Sequence, residues 1–529
     1  MKKKVLALVM ACAMSVTLLA GCGSSSSSAS KTSSAGSASS GGTLTVSLAS
    51  SPSKLDPIHY SGTYEGQIIE QVCDRLIEYN DDLTDFVPSL ATKWKISDNG
   101  MKYVFTIRSG VHFQKGKYQN GREMTADDVA YSLNRSAQHS DNNRLSMLKE
   151  ATVTGKNEVT CTLKTANSAF MAALTDAGNS VLPKEEVEGW GDDFGTHLIG
   201  TGPFYLQKFQ LDEQAVLTAN SKYFVSAPKL KKLVFKFISD PTQAANALLT
   251  GEVDIATDLT GEAINTVNKS NSAKILKKEA MQINYIRFNM KKGPTANADV
   301  RKAMIEAVDF DAVRSALYQY HEVKAAYLPL PYGSWGYDSS LESLFPGYNA
   351  ADAKALMKKA GYANGFEVNI YVSNSAARKT LATLLQAYWQ KIGIKAKVNV
   401  AEWGTFSDTV CSGKADVYAM SWAWYPDPYF FLNKLFSSSE TTAIGNGAGY
   451  TSAEVDALLQ KAGEATNQTE RAKYYSQAMK KTMEDYAGIY YANPYVIYGV
   501  NGRAQGFVQR ADGILRFVTA DHNVSVTDK

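Results

Sequence analysis

The stretch Ala91-Thr-Lys-Trp94-Lys-Ile-Ser97-Asp98-Asn-Gly100-Met-Lys-Tyr103-Val-Phe105-Thr-Ile-Arg108-Ser-Gly110-Val111-His-Phe113 decides how this chain is read. Inside it, Met101 to Ile107 alternates apolar and polar residues, the period of a half-buried strand. Ser97-Asp-Asn-Gly100 supplies the turn that precedes it. Just downstream, Thr125-Ala-Asp-Asp128 is a capping-box-like start for a helix through Arg135. Upstream, Thr43 to Leu48 alternates as a first strand, and a helix pattern follows around Ile68–Ile77. Asp240-Pro241 opens another helix, with Asp240 as N-cap, Pro241 at the first position and Gly251 as the stop. Asp254–Ala256 then reads as a short strand.

The second half keeps a helix-then-strand rhythm. Asn349 caps a helix to Ala360, Gly361 ends it, and Phe366, Val368, Ile370 and Val372 alternate. The next helix carries Leu381, Leu384, Leu385, Tyr388, Trp389 and Ile392 on one face. Gly393 ends that helix, and Ile394–Val400 extends. Helices alternating with strands indicate mixed α/β domains. No internal repeat and no second membrane-length stretch is visible.

The first residues concern location. Lys2, Lys3 and Lys4 precede an apolar run from Val5 to Ala20, 16 residues long. Spanning a bilayer takes about 20 residues, so the run reads as a signal segment, residues 1–21. Leu19-Ala20-Gly21-Cys22 looks like a bacterial lipobox, in which Cys22 is lipidated. Two acyl chains anchor stably where one is marginal. Residues 23–42 are nearly all Ser, Gly, Ala and Thr, with Lys31 the only charge. Residues 22–42 therefore read as a lipidated cysteine and a tether reaching on the order of 25 Å. A Ser-rich tether of this kind fits a Gram-positive cell surface.

Composition narrows the rest. Removing residues 1–21 takes away three lysines, and the formal charge of +3 falls to zero. No basic excess remains for nucleic acid. Of five cysteines, Cys73, Cys161 and Cys411 are left, a spacing that fits three buried thiols or a single bridge but no zinc site. The six histidines are scattered without ligand spacing. There is no G-x-S-x-G elbow, no phosphate-cradling G-x-x-x-x-G-K-[ST] loop and no H-E-x-x-H. Gly445-Asn-Gly-Ala-Gly449 reads as a surface loop. No catalytic residue, metal or cofactor is indicated, and the chain is not read as an enzyme.

The stretch from Trp94 to Phe113 resembles the signature of the extracellular solute-binding proteins of family 5, the oligopeptide-, dipeptide- and nickel-binding components of ABC importers. Gly121 to Asn134 continues the pattern, as do Gly200-Thr-Gly-Pro-Phe-Tyr205, Gly251-Glu-Val-Asp254, Val300-Arg-Lys-Ala303 leading to Ala307-Val-Asp309, Glu402-Trp403, and Tyr425-Pro-Asp-Pro428 with Phe431-Leu432. The resemblance implies an α/β, two-lobed periplasmic-binding-protein-like fold (class II, cluster C type) with an extra domain inserted in the first lobe. Carried over, domain I comprises 43–79, 199–280 and 493–529, the inserted domain II 80–198, and the second lobe, domain III, 281–492. Hinge crossings fall near 281 and 493. The implied partners are a small solute and the permease and ATPase subunits of an importer, with the membrane reached through the lipid anchor. A monomer is expected.

In peptide-binding members, an Asp in a Trp-x-x-Asp segment pairs with the ligand's amino terminus. Here Ser421-Trp-Ala-Trp424-Tyr425-Pro-Asp427-Pro428 puts Trp424 or Tyr425 at that position. Asp427 is the nearby carboxylate, and it also fits as the turn residue before Pro428. No arginine stands close to read a ligand carboxylate, with Val410 and Ala419 in those regions. Aromatic surface stands in for charge: Trp403, Trp422, Trp424, Tyr425 and Tyr429 cluster here. Trp403, Trp422, Trp424, Tyr425 and Asp427 are the expected ligand contacts, with Tyr64 facing them from domain I. Trp422→Ala is expected to weaken binding without unfolding the protein. Aromatic faces suit apolar peptide side chains, sugar rings or cationic groups. A peptide or peptide-like solute is the expected cargo. The alternatives are an oligosaccharide or other non-peptide solute, and a secreted enzyme or adhesin.

Overall fold

In the computed structural model, residues 41–60 and 62–527 are described; the expectations for the signal segment, for Cys22 and for the tether up to residue 40 lie outside them. The alternation along 101–107 becomes the strand Lys102–Ile107, with Tyr103, Phe105 and Ile107 buried and Lys102 and Thr106 exposed. Asp98, Asn99 and Gly100 make the turn with φ of 55°, 51° and 84°. Asp, Asn and Gly are the residues that adopt this left-handed backbone most readily. The turn lets Ala91–Ser97 fold back antiparallel, with Trp94 opposite Phe105 and Ile96 opposite Tyr103. Glu158–Leu163 and Leu148–Gly155 complete a four-stranded sheet. The helix Ala126–His139 packs on Leu148–Gly155. Its Thr125 N–H donates to Asp128 Oδ2 at 2.9 Å, the expected capping box, and the helix outruns the expected Arg135.

A twelve-stranded sheet runs through the rest of the chain. Its centre is the continuous strand Ile489–Asn501. The first residues of that strand pair with Gln282–Phe288, and Tyr495 to Asn501 pair with Ala273–Glu279. Beyond Gln282–Phe288 come Val417–Ala423, Glu367–Ser373 and Lys395–Ala401, the last three mutually parallel. Beyond Ile255–Ala256 come Thr43–Leu48, Lys232–Phe237, Gln214–Ala219 and Phe204–Gln210. Each half buries its own apolar faces, so the sheet divides into two lobes.

The chain crosses between halves twice, side by side. Ala280 N–H donates to Pro494 O at 2.8 Å. The buried Asn493 amide donates to Ala280 O at 2.9 Å and Gln282 O at 3.0 Å, and its Oδ1 accepts from Tyr332 N at 2.9 Å. Pro494 has no N–H to contribute, so the ladder changes partner there without orphaning a donor.

Most helix boundaries follow their sequence signals. Asp240 accepts from Gln243 N at 2.8 Å, and Gly251 closes that helix at φ 76°. Asn349 caps Ala350–Lys359. Leu381, Leu385 and Trp389 of Ala376–Gln390 are buried, and the Trp389 indole donates to Met304 O at 2.8 Å. Two expectations need correction. The helix expected around Ile68–Ile77 is Thr63–Val72, with a separate strand at Ile77–Tyr79. Gly202 N (2.9 Å) and Gln114 Nε2 (3.2 Å) both donate to Val72 O, so neighbouring segments take the carbonyl that a further helical turn would use. The loop Gly445–Gly449 is buried, not superficial. A Cβ on Gly445 would stand 2.3 Å from Lys434 O, and one on Gly447 2.3 Å from Val410 Cγ1. These glycines permit close packing. Cys73, Cys161 and Cys411 are free thiols, the first two buried and Cys411 only partly.

Candidate functional site

Between the lobes lies a cavity of about 950 Å³, near the upper end of the roughly 300–1,000 Å³ that solute clefts occupy. One wall comes from the helix Thr63–Val72, through Tyr64, Gln67 and Glu70, and from the loop Thr257–Gly261 that follows the strand Ile255–Ala256. Facing it are Tyr318, Glu322 and the segment Ala423–Pro426 from the second lobe. The crossing strand, Pro494 to Tyr498, closes the back.

Two sets of hydrogen bonds join the lobes across the rim. On one side Tyr425 Oη donates to Asp176 Oδ2 at 2.5 Å. The same oxygen accepts from Tyr60 Oη at 2.7 Å and Arg144 at 3.0 Å, while Gly178 N donates to Oδ1 at 2.7 Å. Burial first, then the Asp176 charge, pushes both tyrosine hydroxyls well above their ordinary range, so they stay protonated donors. Away from the cavity lining, Ser168 N and Oγ donate to Gly463 O (2.8 Å) and Ala465 O (2.5 Å). On the other side Tyr320 Oη donates to Glu262 Oε2 at 2.8 Å and Gly261 N to Glu322 Oε1 at 3.3 Å.

The aromatic wall is a stack. The Trp424 ring lies parallel to Phe430 (5.8 Å, 10°) and to Trp422 (5.5 Å, 25°), and Tyr425 stands edge-on to Phe430 at 4.6 Å. Trp424 Nε1 and Tyr79 Oη are buried without a hydrogen-bond partner among the described residues. Both residues line the cavity. An unsatisfied buried donor costs roughly 1–3 kcal/mol, a penalty that a bound acceptor removes.

Of the six expected contacts, Trp424, Tyr425 and Tyr64 line the cavity. Tyr64 faces Asp258; burial and that charge together raise its hydroxyl pKa. Trp422, Trp403 and Asp427 lie elsewhere. Trp422 is 7% exposed and donates from Nε1 to Phe430 O at 2.7 Å, so it backs the Trp424 stack from the core. Trp403 is 53% exposed at the start of the helix Trp403–Cys411, resting on Phe406. Asp427 is buried in a two-pronged pair with Arg471 (2.8 and 2.9 Å) and also accepts from Tyr429 N at 2.9 Å. A buried carboxylate so paired holds the turn under Trp424–Pro428 and stays away from the cavity lining. This placement revises the expectation for Trp422→Ala: its first effect falls on packing.

Other residues enter that the linear sequence did not single out. Asp258 and Glu322 are cavity carboxylates with no cationic side chain within 4.0 Å among the described residues. Arg378, beside the lining residue Ala377, has no carboxylate partner among the described residues and donates to Ser373 Oγ and, at 3.1 Å, Ser421 Oγ. Parallel pairing of Val372 with Ala419 brings Ser373 and Ser421 side by side. An arginine remote in sequence from the aromatic segment thus arrives beside it. The signal available was position alone: Asp258 and Arg378 both follow the carboxyl ends of strands, where ligands of open α/β sheets bind.

Comparison with known proteins agrees with this architecture. The family model for bacterial extracellular solute-binding proteins, family 5 Middle, matches residues 85–443. Heme-binding protein A of Haemophilus influenzae is 29% identical over 548 residues, covering 98% of this chain and 98% of that one. The structure of HbpA2 from Haemophilus parasuis superimposes with a TM-score of 0.82 at 30% identity, covering 92% of this chain and 99% of its own. The periplasmic binding protein DppA from Helicobacter pylori, solved in complex with the peptide STSA, gives 0.78 at 26% identity, with 92% and 98% covered. With the match spanning most of the chain and the two-lobed fold shared along its length, this protein belongs to the bacterial extracellular solute-binding proteins of family 5.

Proposed function

We propose that this chain captures a short peptide or peptide-like solute for an ABC importer and hands it to the permease. The observation that carries the reading is the interlobe cavity with hydrogen-bonded contacts between lobes on both sides of its rim. In this reading domain I (43–79, 199–280 and 493–529) with its insert (80–198) and the second lobe (281–492) rotate about the paired crossings at Ala280–Gln282 and Asn493–Pro494. A solute bridging both lobes favours the closed form by its differential affinity for it. Closure dries the cleft and strengthens each polar contact inside. Apolar side chains rest on Trp424 and Tyr425, and a carboxylate turns toward Arg378. The peptide held by the Helicobacter pylori relative supports this cargo class. The aromatic wall also favours a second reading, a ring-bearing non-peptide solute such as an oligosaccharide. Calorimetric titration with defined di- to tetrapeptides tests the first reading, and binding of sugars alone would replace it by the second.

Two further outcomes follow. Tyr425→Phe removes the hydroxyl that reaches Asp176 while leaving that carboxylate its Arg144 and Tyr60 donors. A hydrogen bond to a charged group contributes about 1.5–3 kcal/mol, so stopped-flow release of a bound peptide should accelerate about tenfold or more. An unchanged release rate would show that this contact does not hold the cleft shut. Cys22 is read as the lipid anchor that keeps the receptor at the outer face of the cell membrane of a Gram-positive bacterium. Cys22→Ser should appear in the medium or remain unprocessed in cell fractions. Recovery of an acylated, membrane-bound Cys22→Ser protein would contradict the anchor.

A further inference from the structure

Four cavity carboxylates already have arginine partners: Asp176 with Arg144 at 3.0 Å, Glu70 with Arg75, Glu78 with Arg75 at 2.6 Å, and Asp512 with Arg510 at 2.7 Å. Asp258 and Glu322 have none among the described residues, and they stand on opposite lobes. Asp258 is presented by a left-handed backbone, φ 57°, on the loop behind the strand Ile255–Ala256. The Thr257 hydroxyl donates to its Oδ2 at 2.7 Å, and the Tyr64 and Tyr498 rings lie close by. Glu322 accepts from Tyr320 N at 2.9 Å and, across the cleft, from Gly261 N at 3.3 Å. That last contact joins Glu322 to the very loop that carries Asp258.

Glu322 thus sits against the loop that carries Asp258, and neither carboxylate has a cationic side chain within 4.0 Å among the described residues. Like charges in a water-poor site repel, and burying either one unpaired is costly. Burial raises the Asp258 pKa from its ordinary value, against the Thr257 and Tyr64 hydroxyls that lower it. A cation between the two relieves both penalties, and aromatic rings beside it add attraction. We propose that Asp258 and Glu322 clamp an ammonium group of the solute, one carboxylate from each lobe. This rests on the peptide reading above and names the solute's amino end as the group recognised there. The amine is then held by residues outside the Trp422–Pro428 segment, where the Asp position carries an aromatic ring.

The test uses the full chain and a library of di- to tetrapeptides free of lysine and arginine, with either free or acetylated amino termini. Asp258→Asn keeps the side-chain shape and tolerates the left-handed backbone, and Glu322→Gln keeps an acceptor for Gly261 N. Thermal melts establish that both variants fold. Wild type should bind free-amine peptides roughly tenfold to a hundredfold more tightly than acetylated ones. Either variant should lose that preference. The proposal is overturned if wild type takes both forms equally, or if both variants keep the preference. If wild type binds neither form, the peptide reading fails, and 2-phenylethylamine then probes the clamp alone: binding lost in both variants supports it, whereas no binding, or binding that survives in both, overturns it.

Discussion

Replacing Trp422 with alanine is expected to destabilise the fold by about 3–5 kcal/mol, the usual cost of truncating a buried aromatic. Its ring lies in the core of the second lobe at 7% exposure, and its loss leaves Phe430 O without its 2.7 Å donor. Trp424→Ala, two residues on, should behave oppositely. Its half-buried ring lines the cavity with an unpartnered Nε1. Truncation there should cost roughly 1–2 kcal/mol of stability, below the range for a buried aromatic. It should nevertheless weaken solute binding by about thirtyfold or more, as loss of an aromatic anchor does. Urea unfolding and calorimetry on both variants read the two effects separately. Equal stability losses, or a binding loss confined to Trp422→Ala, would show that the roles of the two rings are misassigned.

Asp427→Ala should cost a further 3–5 kcal/mol by a different route. It strands the Arg471 guanidinium, 7% exposed, among Trp335, Tyr475 and backbone. Breaking a buried ion pair from one side leaves an uncompensated charge, whereas replacing both partners with apolar groups is often neutral. The double variant Asp427→Leu/Arg471→Met should therefore recover most of the lost stability in urea unfolding. A single-variant loss below about 1 kcal/mol would mean that Arg471 finds another partner or reaches water.

The fold was legible where local chemistry is decisive. The Asp98–Gly100 turn, the Thr125 and Asp240 caps, and the stops at Gly251, Gly361 and Gly393 each state a boundary in a few residues. The helix end at Val72 was hidden, because Gly202 and Gln114, far along the chain, take its carbonyl. For the candidate site, Trp424, Tyr425 and Tyr64 came from the family resemblance, and all three line the cavity. Asp427 looked like the free carboxylate until Arg471, 44 residues away, appeared beside it. Asp258, Glu322 and Asp176 are unremarkable in sequence. Their significance comes from which neighbours they have or lack, and the tertiary fold settles that over separations as long as the 249 residues between Asp176 and Tyr425.

Native mass spectrometry of the full chain, equilibrated with a di- to tetrapeptide mixture, reads solute capture without a label. One bound peptide per protein is expected, with a free amino terminus, released on activation with its mass unchanged. A chain that retains no peptide from the mixture, or returns one cleaved or modified, would contradict the proposed capture of an unaltered peptide.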